Sequence, residues 1–64
     1  MAVIYRIDEN AYYILYKSKL EKNEVGNKYS IYRTEDFGSD FLDSFRYLSE
    51  ARKVFNKATR EAIN

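Results

Sequence analysis

The apolar residues of this chain change their period part-way along it, and that change constrains the fold more than any other feature. Up to Thr34 they fall in short β-branched and aromatic runs, alternating at Val3, Tyr5 and Ile7; from Leu48 onward they recur in steps of three and four. A period of two belongs to a strand, and a period near 3.6 to an amphipathic helix. The chain therefore reads as sheet first and helix last.

Val3, Tyr5 and Ile7 alternate through a β-branched and aromatic run, which predicts a strand over residues 3–7. Asp8-Glu9-Asn10 is a polar turn, short enough to close a hairpin with a second strand. That second strand is expected over residues 11–20. It would carry Tyr12, Ile14, Tyr16 and Leu20 on one face, with Tyr13, Leu15, Lys17 and Lys19 on the other. The stretch Glu21 to Asn27 is charged and ends in Gly26-Asn27, a turn with positive φ at the glycine. A third strand is expected over residues 28–34, and short connections impose a meander.

Glu35-Asp36-Phe37-Gly38-Ser39-Asp40 breaks the pattern. Beyond it Leu48, Ala51, Phe55, Ala58 and Ala62 share one helical face, with Val54 beside them. Glu50, Arg52, Lys53, Lys57, Arg60 and Glu61 lie mostly elsewhere, as a solvated face would. Phe41 and Phe45 extend the helical phase backwards, with Ser39 and Asp40 as caps, which would start the helix near residue 40. The aromatic density of residues 41–47 favours the other solution, a short fourth strand or irregular edge and a helix from about Leu48.

The expected fold class is α+β: a three- to four-stranded antiparallel β-meander with one C-terminal amphipathic helix packed on one face, a single domain over residues 1–64. Val3, Tyr5, Ile7, Ile14, Tyr16, Ile31, Leu48, Val54, Phe55 and Ala58 make up the expected core. A one-residue error of strand phase exchanges its faces.

At 64 residues the chain lies near the lower limit for unaided folding, and it has no cysteine or histidine to build a disulfide or a typical zinc site. Stability must come from its seven Tyr and four Phe, from a partner, or from self-association. The same absences remove the commonest general bases, nucleophiles and transition-metal ligands, so no enzyme, cofactor or metal is expected. Asp8-Glu9, Glu35-Asp36, Asp40 and Asp43 lack the spacing of a calcium loop. Asp36-Phe37-Gly38 matches a kinase tripeptide by letters alone, and Gly26 and Gly38 stand too far apart for a phosphate loop. Eleven basic against ten acidic residues leave a net charge of +1, which argues mildly against a dedicated nucleic-acid binder. No apolar run reaches the length of a membrane span, and the N-terminus lacks a signal-peptide pattern, so a cytoplasmic protein is expected.

What is left is a surface. The expected second sheet face sets Tyr13, Leu15 and Tyr32 beside Arg6, Lys17, Lys19 and Arg33 or Lys28. Arg6, Tyr13, Lys17, Tyr32 and Arg33 are its candidate binding residues. Tyrosine with arginine suits a protein hot spot; rings flanked by bases also suit a stacking platform for single-stranded nucleic acid. Tyrosine is equally at home as an ordinary half-buried strand residue. Arg52, Lys53, Lys57 and Arg60 make one helix face locally basic, a second place where phosphate could be met, though charged outer faces are usually only solvated.

The tail, Phe45-Arg46-Tyr47-Leu48-Ser49-Glu50-Ala51-Arg52-Lys53 after a meander, resembles short phage-encoded regulatory proteins over residues 28–63, in style and length rather than by a diagnostic motif. The resemblance implies a protein that docks on a host or defence protein and blocks it. The functional expectation is thus a small, non-enzymatic protein-binding inhibitor acting by steric occlusion. The alternative is a nucleic-acid-binding accessory domain, and with either a homodimer is a candidate active form.

Overall fold

The computed structural model describes residues 3–19 and 26–63, with Val3 and Lys19 by their backbone alone. Strands β1 (Val3–Glu9), β2 (Tyr13–Lys19), β3 (Tyr29–Glu35) and β4 (Gly38–Phe45) form one antiparallel sheet in the order β1-β2-β3-β4. Helix α1 (Leu48–Ile63) follows them, so the fold is α+β, a four-stranded meander with a C-terminal helix. The helix does begin at Leu48. Asp40, the candidate cap of a longer helix, and Phe41, in phase to extend it backwards, are instead paired with Arg33 and Tyr32 of β3.

Local chemistry explains the boundaries. Asp36 and Phe37 form a two-residue turn between β3 and β4, and Gly38 after it has φ +139°, a value that residues with a side chain rarely adopt. Gly26 is likewise at positive φ (+151°), as its place after a charged stretch suggests. The charged stretch before it, residues 21–25, and the end of the second strand at Leu20 lie outside the described residues. In α1, Glu50 in the first turn and Arg60 in the last complement the helix dipole.

The helix lies over β2, β3 and β4. Leu15 and Ile31 face each other across β2 and β3 and, with Tyr29, meet Ala51 and Phe55 of the helix. All five are buried, and Ile7, Tyr13, Phe45, Leu48 and Val54 pack around them. Ala51, wholly buried, presents only a methyl group and so lets the helix axis approach the sheet closely.

The expected core needs correction in β1 and β2. Ile31 and Phe55 are buried as expected, and Ile7, Leu48 and Val54 pack against the core. Ile14 and Tyr16 instead point away from the helix, and Leu15 and Tyr13 take their place. Tyr5 is half-exposed because β1 sits at the margin of the helix, and Ala58 is only partly buried. The side chain of Val3 lies outside the described residues.

Each outer strand carries a bulge. Ile7 is the extra residue of β1, between the Arg6–Tyr16 and Asp8–Leu15 pairs. Leu42 is the extra residue of β4, between the pairs made by Phe41 and Asp43. Bulges interrupt the row of free backbone groups along an edge and so oppose strand addition there. Asn10 ties the β1–β2 turn to the helix. Its side-chain oxygen accepts from the backbone N–H of Tyr12 (2.8 Å) and Tyr13 (2.9 Å), while its amide donates to Thr59 Oγ1 (2.9 Å).

Candidate functional site

One helix covers one face of the sheet, and the other face has no cover among the described residues. Strand alternation, adjusted for the two bulges, puts Ile4, Arg6 and Glu9 of β1 on the open face with Ile14, Tyr16 and Ser18 of β2. Ser30, Tyr32 and Thr34 of β3 and Ser39, Phe41 and Ser44 of β4 complete it.

Its centre is a ladder of rings across three strands. Tyr16 and Tyr32 stand 5.4 Å apart between centroids at 82°, and Tyr32 and Phe41 stand 5.6 Å apart at 75°. Both are edge-to-face pairs, the arrangement that opposes the positive rim of one ring to the negative face of the next. The ladder continues to β1 through Arg6. Its guanidinium bonds to Glu9 Oε1 at 2.9 Å, and its pKa is raised above the ordinary arginine value, first by the Tyr16 side chain and then by Glu9. Ile4, Tyr16, Ser18, Ser30, Tyr32 and Ser39 line a shallow groove of about 300 Å³ over the rings.

The residues expected to bind therefore divide between two faces. Arg6 and Tyr32 belong to the open face. Tyr13 is half-buried against the core on the helix side, Lys17 is paired with buried Tyr29, and Arg33 is paired with Tyr13. Tyr13 and Arg33, with Tyr12, Thr34, Glu61 and Ala62, border a separate depression at the end of the helix. The side chain of Lys19 lies outside the described residues. Sequence reasoning missed Tyr16, Phe41 and Ile4 as members of the open face. The serines mark it: Ser18, Ser30 and Ser44 all fall on the uncovered side.

Charge is distributed in the opposite sense. Within the described strands, the charged side chains of the open face are Arg6 and Glu9, and they pair with each other. The basic residues of the helix lie on the far layer. There Arg52 is 3.6 Å from Asp8, and Lys53 and Arg60 line a second depression with Asn10, Asn56 and Thr59. Among the described residues no group of three or more metal-ligating side chains converges. Nor is any helix there long and apolar enough to cross a membrane. Compared with known proteins, the chain matches no family model, no curated sequence and no solved structure significantly.

Proposed function

We propose that this protein is a small non-enzymatic binding module whose open sheet face docks on another protein and occludes that protein's functional surface. The observation that carries the reading is the composition of the face: Tyr16, Tyr32, Phe41, Ile4 and Ile14 set among Ser18, Ser30, Thr34, Ser39 and Ser44. Tyrosine offers large, stiff contact area with a polar tip, and serine offers adaptable hydrogen bonds. Protein-recognition surfaces favour this pairing. Paired strands hold the rings in place, so little ordering entropy is lost on docking. A cytoplasmic inhibitor of a host or defence factor, the role implied by the likeness to phage regulators, would use such a surface without turnover.

The nucleic-acid alternative fits less well. A stacking platform works when rings and bases share one groove. Here the ring ladder is on one layer and Lys53 and Arg60 are on the other, while Arg6 is occupied by Glu9.

The test is capture from nuclease-treated lysate with the tagged full chain, run beside a Tyr16→Ala/Tyr32→Ala variant shown to be folded by circular dichroism. A protein retained by the parent and lost by the variant supports the reading, with binding weaker by about 2 kcal/mol or more as for other hot-spot rings. Retention equal in both, or retention that disappears with nuclease, refutes it.

A further inference from the structure

We infer that in the free protein the occupant of the open face is a second copy of the chain, packed face to face about a two-fold axis. This rests on the reading of that face as a docking surface and names what docks first. Four features of the molecule point to self-pairing.

The first is charge. The centre of the face is uncharged, and its Arg6 and Glu9 already neutralise each other at one margin, so two such faces meet without burying a lone charge. The second is ring orientation. Because successive rings are turned by 82° and 75°, the ladder displays ring edges and ring faces side by side. A patch with both can complement itself under two-fold symmetry, each edge meeting a face of the other copy.

The third is area. Four strands about 4.8 Å apart and about seven residues long give a face of roughly 450 Å² in projection. Two such faces together bury roughly 900 Å², the size of a weak, transient interface, which places the dimer in the micromolar-to-millimolar range. Ile4 at 62 % and Phe41 at 58 % exposure are the side chains with most to gain. The fourth is exclusion of the competing mode, since bulges at Ile7 and Leu42 oppose edge-to-edge pairing. Self-association through the face yields a helix–sheet–sheet–helix stack with the sheets about 10 Å apart. A foreign partner then binds by displacing the second copy.

Sedimentation equilibrium of the parent chain from micromolar to millimolar concentration tests this. The expected result is a concentration-dependent rise from 7.7 kDa toward twice that mass. Phe41→Arg and Ile4→Arg, both at exposed positions that the monomer fold does not need covered, should each weaken the dimer at least tenfold by placing an unpaired charge in an apolar interface. Phe37→Arg, at a wholly exposed turn residue off the face, should leave it intact. A parent that stays at 7.7 kDa throughout, or a dimer indifferent to Phe41→Arg and Ile4→Arg, overturns the inference. Neither result bears on binding to other proteins, which the Tyr16→Ala/Tyr32→Ala capture decides separately.

Discussion

The two faces of this sheet are built from alternate residues of the same strands, yet their chemistries differ. On the covered face Leu15, Ile31 and Tyr29 lock against Ala51 and Phe55, and no water reaches the aliphatic groups. On the open face the same strands present Tyr16 and Tyr32 among serines, a surface that tolerates water while keeping a large apolar area available. The covered face is specified by shape and apolarity. The open face is specified by side chains that are comfortable both wet and dry. A sheet can thus be stable on one side and adhesive on the other without any change in backbone.

The contrast is sharpest in the cost of removing one ring from each face. Phe55→Ala empties the centre of the covered face, where Phe55 is 3 % exposed, and should cost about 3–5 kcal/mol in urea denaturation. Phe41→Ala, at dilutions where the monomer prevails, should cost no more than about 1.5 kcal/mol, the worth of one aromatic pair. Equal losses would mean that the open face is as integral to the monomer as the core.

Next in size is the tie between sheet and helix. Asn10→Ala deprives the backbone N–H groups of Tyr12 and Tyr13 of their acceptor and Thr59 of its donor. A loss of about 1–3 kcal/mol is expected from a thermal melt, because these groups are left partly shielded without partners. A variant as stable as the parent would show that water replaces Asn10 fully, and that the covered face is secured by packing alone.

Within the open face the comparison can be made finer. Tyr32 pairs with a ring on each side, whereas Tyr16 and Phe41 each pair with one. Each pair contributes about 0.5–1.5 kcal/mol, so Tyr32→Ala should destabilise the monomer more than either Tyr16→Ala or Phe41→Ala. Equal urea midpoints for the three variants would show that the ladder is geometric only and stores no stability.

Much of this architecture was legible in the sequence, and the failures have a common cause. The switch of period from two to 3.6 set the order of elements, and the helix start at Leu48 agreed with the aromatic density before it. Strand β2 was different. Tyr12 to Tyr16 are apolar at both parities, so hydrophobicity alone could not choose between Ile14 with Tyr16 and Leu15 with Tyr13. Lys17, on the Leu15 side, pointed the wrong way: it is half-buried at the edge of the covered face beside Tyr29. Long side chains can lay an aliphatic stem over apolar surface, so a lysine is a poor marker of the wet face. Ser18 and Ser30, short and polar, were the better signal. In β1 the period of two gives the right faces, with Tyr5 and Ile7 on the covered side; Tyr5 is half-exposed because the helix does not extend over that strand.

The smallest expected effect lies at the far end of the β3–β4 hairpin, away from both ring clusters. Glu35 has its pKa raised above the ordinary glutamate value by the Asp40 carboxyl, first through a hydrogen bond and then through like charge, with Arg33 pulling the other way. A carboxyl whose pKa is higher folded than unfolded favours the fold in its protonated form. Its contribution is present below the unfolded pKa and is lost as pH rises through the folded one. The hairpin should therefore be slightly firmer in mild acid than at neutral pH, and Glu35→Gln, which keeps a donor without the charge, should remove that difference. Both groups are exposed, so solvent keeps the effect small. Amide exchange at Arg33 and Asp40, opposed residues just behind the turn, is the direct readout, because the Thr34 N–H donates instead to the Tyr12 carbonyl oxygen on the β2 side. Protection that falls from mild acid to neutral pH in the parent, after correction for intrinsic exchange, and stays level in Glu35→Gln is the expected outcome. Protection that rises over the same interval would show instead that Arg33 governs the charge state of the hairpin.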